Sequence, residues 1–396
     1  MKNSSLSLFL EINNLSFIFL VGEKDQHDNY KIVYKLEVAI KGIDNNRITD
    51  LEEVSDAIKK NVYIIEQELS HTFKEIVLIL ENFNPTFINL TGYKNLNGSM
   101  ILRENITYIL NTLKSFIDKF EPKKKILNIF NSKFYLDDKK VDNLPIGLFG
   151  DFYSHELTFF LIKNNDLKNI KYLFNKNDLN VKKILIKNFI EGVEIVEKNN
   201  NAQTFFRIKI NKDNSNLSFF DESSFRYVEN FNFGTGIILK DIEKVCSIDN
   251  YTIEKILSDK PYKDKNFPDN ELFEEKYFND GNYRKIRKKL VIDIVSARIE
   301  EINNIIFNEN INIKSLKKNN VLIFLTIEDK NIFYNFEDNF RFFFQHNETH
   351  FIEDFNADKL IRSAVHLSLY GWKKEAIPIT QTKNSLITRI FKSLFG

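Results

Sequence analysis

Apolar positions along the chain change period several times, and each change marks an element. Ser7 to Val21 reads as strand, continuously apolar from Phe17 to Val21. Tyr30 to Ile40 alternates Ile32, Tyr34, Leu36, Val38 and Ile40 on one face, so the two segments are expected to form a hairpin. From Asp50 to Phe73, Leu51, Val54, Ile58, Val62, Ile65 and Leu69 fall at helical spacing, and Ile76 to Leu80 reads as a buried strand. Strands followed by a helix and a strand predict a mixed sheet covered by helices. A second module starts near Pro85, with a strand at Thr86 to Leu90, a helix at Arg103 to Phe120, strands within Ile126 to Leu136 and another at Glu156 to Ile162. It closes before a helix beginning around Asp166. Leu179 to Val196 resumes strand and helix, and Gln203 to Ile210 with Asn216 to Phe220 reads as a hairpin opening a new lobe. After Lys240 helices predominate up to the short buried strand Val321 to Leu325. Trp372 to Lys383, with Pro378 and no periodicity, reads as a linker.

The last segment regains a period. Leu386, Ile390 and Leu394 recur at intervals of four, with Ile387, Phe391 and Phe395 as a second row beside them. Arg389 and Lys392 occupy the other face, Lys383 lies just upstream, and no acidic residue interrupts the segment. An apolar stripe backed by positive charge predicts an amphipathic helix lying on an anionic membrane surface. The alternative is a terminal helix packed on its own domain. Each large apolar side chain contributes at most roughly 1.5–3 kcal/mol when fully buried, and ordering the helix costs about 1 kcal/mol per residue. One tail therefore binds weakly and reversibly, whereas an array of subunits gains avidity.

Composition narrows the function classes. At 396 residues the chain exceeds what one core usually serves, so two lobes or more are expected. Lys and Arg number 56 against 55 Asp and Glu, which gives no global electrostatic reason to expect nucleic acid as a partner. A lone cysteine, Cys246, excludes an internal disulfide and any multi-cysteine metal site, fits a reducing compartment, and reads as a small buried hydrophobe. The apolar run Leu6 to Leu20 is broken by Glu11, Asn13 and Asn14 and lacks a cleavage site, so no signal peptide is expected, and no run approaches the ~20 apolar residues of a membrane span. His346 and His350 stand four apart without a third ligand, so no metal site is expected. No P-loop, nucleophile elbow or dinucleotide fingerprint occurs. The basic run Arg284 to Lys289 reads as a solvated helix face.

Several segments together resemble one family. Glu11-Ile12-Asn13-Asn14-Leu15-Ser16-Phe17-Ile18-Phe19-Leu20-Val21-Gly22-Glu23 looks like the first phosphate segment of the actin-like superfamily in the version carried by FtsA cell-division proteins. Leu127 to Phe130, Tyr135 to Asp137 and Val141 to Gly150 are similar to the small subdomain inserted in FtsA. Phe233-Gly234-Thr235-Gly236 through Ile242 resembles the segment after the second phosphate hairpin, and Ile253-Glu254-Lys255-Ile256 the adenine-side helix. Ile294-Val295-Ser296-Ala297-Arg298-Ile299-Glu300-Glu301-Ile302 is close to the family's Ala-Arg helix, and Ser363 to Gly371 matches the element that closes the fold. The basic amphipathic tail completes the plan.

The resemblance implies an α/β, actin-like, duplicated ribonuclease H-like fold of two lobes, with an inserted small α+β subdomain of the SHS2 type and a C-terminal amphipathic helix. Expected boundaries are 1–84 with 166–198 for the first lobe, 85–165 for the insertion, 199–245 with 319–372 for the second lobe, 246–318 for a helical partner-binding subdomain, 373–383 for a linker and 384–396 for the membrane helix. It further implies an adaptor rather than an enzyme, peripheral at the cytoplasmic face of the inner membrane at the division site. Such an adaptor self-associates into filaments and binds the C-terminal peptide of the tubulin-like ring protein FtsZ through Arg284, Arg298 and Glu301. Leu386, Ile387, Arg389, Ile390, Phe391, Lys392, Leu394 and Phe395 are the expected membrane-binding residues. Nucleotide-binding positions carried over are Glu11, Asn13, Asn14, Lys212, Gly234, Thr235, Glu254 and Lys255.

At those positions the chain departs from the pattern. Glu11 stands where Asp is expected and Asn13 where Gly is; Lys209 to Asn216 replaces a Gly-rich turn; and Thr326-Ile327-Glu328-Asp329 replaces another. Glycines let backbone amides approach phosphates, and an acidic residue organises hydrated magnesium. Two readings follow: a degenerate pocket with no cofactor, or ATP and magnesium held through Lys212, Gly234, Glu254 and Lys255 in an altered geometry. A pilus-assembly protein of the related PilM group, and an actin-like ATPase, are the alternative functions.

Overall fold

The computed structural model describes residues 6–13, 16–24, 30–44, 47–81, 85–199, 201–258, 268–279, 283–317, 321–345 and 348–376. The chain divides into two units, residues 1–203, 219–228 and 355–396 in the first and 204–218 and 229–354 in the second.

In the first unit β1 (Leu6–Ile12), β2 (Ser16–Lys24) and β3 (Tyr30–Ala39) form an antiparallel meander, with Leu8 opposite Val21 and Phe17 opposite Val38. The expected hairpin is thus three strands, because the apolar run breaks at Asn13. Its side-chain oxygen accepts the Ser16 N–H at 2.6 Å and its amide donates to Ser16 Oγ at 3.1 Å, closing a turn. A short ladder of β4 (Ile43–Asp44) and β5 (Arg47–Ile48) leads into α1 (Leu51–Leu69). The Asp50 carboxylate caps α1 by accepting the Glu52 and Glu53 N–H groups at 2.9 Å, and left-handed Ser70 ends it. Val54, Ile58, Val62 and Ile65 form its buried stripe, and β6 (Glu75–Leu80) then runs parallel to β1.

The insertion follows as β7 (Thr86–Asn95), α2 (Arg103–Phe120), β8 (Lys124–Leu136), β9 (Lys139–Val141) and β10 (Phe152–Lys163), in sheet order β7-β10-β8-β9. Ile106, Ile109, Leu110 and Ile117 of α2 pack with Ile129, Leu157 and Phe159 of the sheet. Gly92 permits that close approach, since a Cβ there would sit 2.4 Å from Ile109 Cγ2. The chain returns through α3 (Asn164–Lys176), β11 (Asn180–Ile186) and α4 (Lys187–Lys198). Parallel pairing of β11 with β6 completes a five-stranded sheet ordered β11-β6-β1-β2-β3.

A second set of elements carries the same plan. β12 (Phe205–Ile210), β13 (Ser215–Asp221) and β14 (Ser224–Phe231) lead to α5 (Gly236–Cys246), α6 (Asn250–Ser258), α7 (Lys288–Asn303), β15 (Leu322–Ile327), α8 (Lys330–Phe343) and β16 (Glu348–Phe351). Residues 219–228, from β13 into β14, group with the first unit. The sheet order β14-β13-β12-β15-β16, with β15 parallel to both β12 and β16, repeats the first sheet strand for strand. This is the duplication that the sequence led one to expect. Cys246 is buried at the end of α5, where burial pushes its thiol up.

The division differs from the expected boundaries, first in that residues 219–228 group with the first unit. α9 (Ala357–Tyr370) groups with the first unit and not with the second lobe, because its buried face packs on α4, where Ser363 Oγ donates to Glu194 at 2.6 Å. The stretch read as a linker also starts docked. Trp372 Nε1 donates to the Ser223 carbonyl at 2.8 Å, Ala376 N–H to Ile129 at 2.7 Å, and Glu375 forms a buried ion pair with Lys183 at 3.0 Å.

Candidate functional site

In parallel α/β sheets ligands meet the carboxyl ends of the strands, and of the carried-over residues Glu11, Asn13 and Lys212 lie at or just past such ends, while Glu254 and Lys255 lie within α6. In the first unit Glu11 sits near the end of β1, Glu81 just past β6, and Lys187 opens α4 directly after β11. Lys187 Nζ lies 2.6 Å from Glu11 Oε1 and 3.1 Å from Glu81 Oε2, and all three side chains are nearly buried. Burial raises the Glu11 carboxyl above its usual range; Glu81 and Glu191 add to this while Lys187 opposes it. Burial alone would lower the Lys187 ammonium, yet Glu81, Glu11 and Glu191 outweigh it and hold it above the usual lysine range. Glu11 is therefore an ion-pair partner. Asn13 spends its side chain on the β1–β2 turn, and Asn14 lies outside the described residues. Beside the cluster a cleft is lined by Ile12, Ile43, Ile48, Leu80 and Ile170, with Asn13, Arg47, Glu81, Asp166 and Asn169 as its polar groups.

In the second unit the expected Gly-rich turn between β12 and β13 is Asn211-Lys212-Asp213-Asn214, closed by Asn211 N–H to the Asn214 carbonyl at 2.9 Å. Against it lies the start of α5. Thr235 N–H donates to the Asn211 carbonyl at 2.9 Å and Gly236 N–H to the Lys212 carbonyl at 2.7 Å. Gly234 is required here by the chain itself, because a Cβ would stand 1.9 Å from the Asn211 carbonyl oxygen. The third turn is similarly occupied: Glu328 N–H donates to Ile210, and the Asp329 carboxylate caps α8 by accepting Ile332 N–H at 3.1 Å. Helix amino termini are ready anion sites; this one already holds a carboxylate. Lys212, Glu254 and Lys255 do come together, lining an open cavity of about 620 Å³ with Tyr251, Asp329 and Ile332. Lys255 Nζ is engaged with the Lys276 carbonyl.

The residues carried over for partner binding divide. Arg298 Nε donates to Asp241 Oδ2 at 2.5 Å and its Nη1 to Glu301 Oε2 at 2.6 Å, joining α5 and α7. Arg284 is exposed upstream, since α7 begins only at Lys288; the basic run up to Arg287 is non-helical and turns where Ile286 N–H donates to the Arg284 carbonyl at 2.9 Å, so it is not a helix face. Lys288 and Lys289 pair with Glu271 and Asp269, both at 2.6 Å. His350 lies on strand β16, stacked on Phe324 at 5.4 Å, so helical spacing with His346 does not apply, and His346 is outside the described residues. Among the described residues no cluster of three His, Cys, Asp or Glu side chains fit to hold a metal occurs, and no helix is long and apolar enough to cross a membrane. The tail residues Leu386 to Phe395 lie outside the described residues.

Sequence reasoning missed Lys187, Glu81 and the Lys183–Glu375 pair. For Lys187 a signal existed: a charged residue directly follows the apolar run Ile184 to Ile186, at a strand-to-helix junction.

No family model matches the chain. It is 23% identical over 315 residues to the cell division protein FtsA of Buchnera aphidicola subsp. Schizaphis graminum, covering 78% of this chain and 73% of the relative. It is 19% identical over 302 residues to the cell division protein FtsA of Neisseria meningitidis serogroup B, covering 76% and 72%. Among solved structures, a chain of the PilM-PilN type IV pilus biogenesis complex superposes with a TM-score of 0.54 at 8% identity, over 92% of this chain and 98% of that one, a likeness of fold. With the repeated strand order and the inserted subdomain the fold is actin-like, and the FtsA relatives, 19–23% identical over about three quarters of the chain, support a divergent member of the FtsA family.

Proposed function

We propose that this chain is a cell-division adaptor that ties the FtsZ ring to the cytoplasmic face of the inner membrane and helps assemble the division machinery there. The observation that carries the reading is the alignment with FtsA proteins over about three quarters of both chains. The FtsZ C-terminal peptide, acidic and apolar, is assigned to the α5–α7 face where Arg298 and Glu301 meet, with Arg284 as a second cation. Leu386, Ile387, Arg389, Ile390, Phe391, Lys392, Leu394 and Phe395 are assigned to anionic lipid, and self-association into filaments multiplies these weak contacts.

Tethering needs no bond-breaking chemistry, and the occupied strand ends favour a body that neither holds nor hydrolyses ATP. Neither nucleic acid nor a metal belongs to this reading.

The test is retention of the full chain on the FtsZ C-terminal peptide, with Arg298→Glu as control. Binding by the parent and loss in the variant are expected; a parent that does not bind sinks the adaptor reading. Vesicle co-sedimentation of the full chain against one ending at Lys383 tests the tail, and equal binding would remove it from the account. The second reading, pilus assembly, draws on the structural likeness to PilM. Retention on PilN in place of the FtsZ peptide would select it.

A further inference from the structure

The actin-like fold implies a nucleotide with magnesium at the strand ends, and in the first unit the residues present do not fit that group. Magnesium is ordinarily held by one or two carboxylates together with phosphate oxygens and waters. Here both carboxylates at the strand ends, Glu11 and Glu81, are already taken by one ammonium at 2.6 and 3.1 Å. That ammonium belongs to the first residue of α4, so the helix backbone fixes its root. The adjoining cleft sets five aliphatic side chains beside five polar ones; Arg47 is its one cation, and Glu81 and Asp166 would repel phosphates.

We propose that Lys187 is the resident cation of this site: its ammonium takes the charge position that a divalent metal would hold, so the three strand ends are joined without metal or nucleotide. This rests on the adaptor reading, in which the body works as a fixed part. Two carboxylates, Glu11 and Glu81, pair with one lysine, and Glu191 on the same helix α4 adds a third negative charge to its surroundings. Removing the lysine alone leaves an uncompensated acidic group that a divalent cation can neutralise. Burying such charges unpaired is costly, so the variant should depend on that cation.

The experiment uses the full chain and Mn²⁺ as a paramagnetic probe, comparing the parent, Lys187→Ala, Lys187→Arg and the charge-balanced pair Lys187→Met with Glu11→Gln. Free Mn²⁺ is followed by electron paramagnetic resonance and the unfolding midpoint by thermal melting. The parent, the Arg variant and the balanced pair are expected to take up no specific Mn²⁺. Lys187→Ala is expected to bind it specifically, about tenfold or more tightly than any non-specific uptake by the parent, and to melt higher in its presence. Specific Mn²⁺ binding by the parent overturns the proposal, as does a folded Lys187→Ala with no gain. If Lys187→Ala stays unfolded at every Mn²⁺ concentration while the balanced pair folds, no divalent ion can stand in for the ammonium, and the proposal again fails. Retention on the FtsZ peptide is measured on the same parent sample. Its failure would sink the adaptor reading and leave the Mn²⁺ result to stand by itself.

Discussion

The two five-stranded sheets share one strand order, yet their strand ends are filled in different ways. In the first, a lysine and surrounding glutamates form a nearly buried ionic cluster. In the second, backbone carbonyls of Asn211 and Lys212 take the amides at the start of α5, and the Asp329 carboxylate caps α8. Topology therefore fixes where a ligand would sit but not what sits there. Two kinds of side chain and backbone chemistry can satisfy the same exposed ends.

The contrast predicts unequal costs. Lys187→Met leaves buried carboxylates without their cation and should destabilise the chain by about 3–5 kcal/mol, read as a lower midpoint in urea unfolding. A loss under 1 kcal/mol would mean that the cluster is solvated. Gly234→Ala places a Cβ against the Asn211 carbonyl oxygen, a backbone atom with little freedom to retreat. A cost toward the upper end of the ~1–3 kcal/mol typical of overpacking is expected, and an unchanged midpoint would show that the α5 start is not pressed on the turn.

A further effect belongs to the first unit and, within one pH unit, is smaller than these. His155 on β10 is fully enclosed, shares a 2.9 Å contact between its Nε2 and Asn131 Oδ1, and is pushed down by burial to about 3. Its folded value lies below its ordinary value of 6.5. The unfolded chain therefore takes up a proton between pH 6.5 and 3 that the folded chain refuses. The stability contributed by neutral His155 is complete above 6.5 and falls by up to about 1.4 kcal/mol per pH unit below it. His155→Gln should flatten that part of the profile, and parallel profiles would contradict the burial. Smallest of all, Asp329→Ala removes the cap of α8 and should cost about 1 kcal/mol, measured by the same urea titration. The cost is small because the second sheet's ends are held mainly by backbone hydrogen bonds.

Much of the fold was legible because its signals are local. α1 showed its stripe and its Asp50 cap, and α2 its spacing from Arg103 to Phe120. The repeated sheet was less visible, since β16 has only four residues and alternates weakly around Phe351. The ion pairs at the candidate site were hidden for another reason: Glu11 and Lys187 are 176 positions apart, and Lys183 and Glu375 are 192. No periodicity reports such a contact. Trp372 to Ala376 read as a linker because, apart from one turn closed by Glu375 N–H to the Trp372 carbonyl, its order comes from distant partners.

The central claim is that the chain's own groups occupy both sets of strand ends. Calorimetric titration of the full chain with Mg-ATP tests it most directly. The account predicts no binding heat up to millimolar nucleotide. A micromolar Kd would contradict it and restore Lys212, Gly234, Glu254 and Lys255 as ligands of a working nucleotide site.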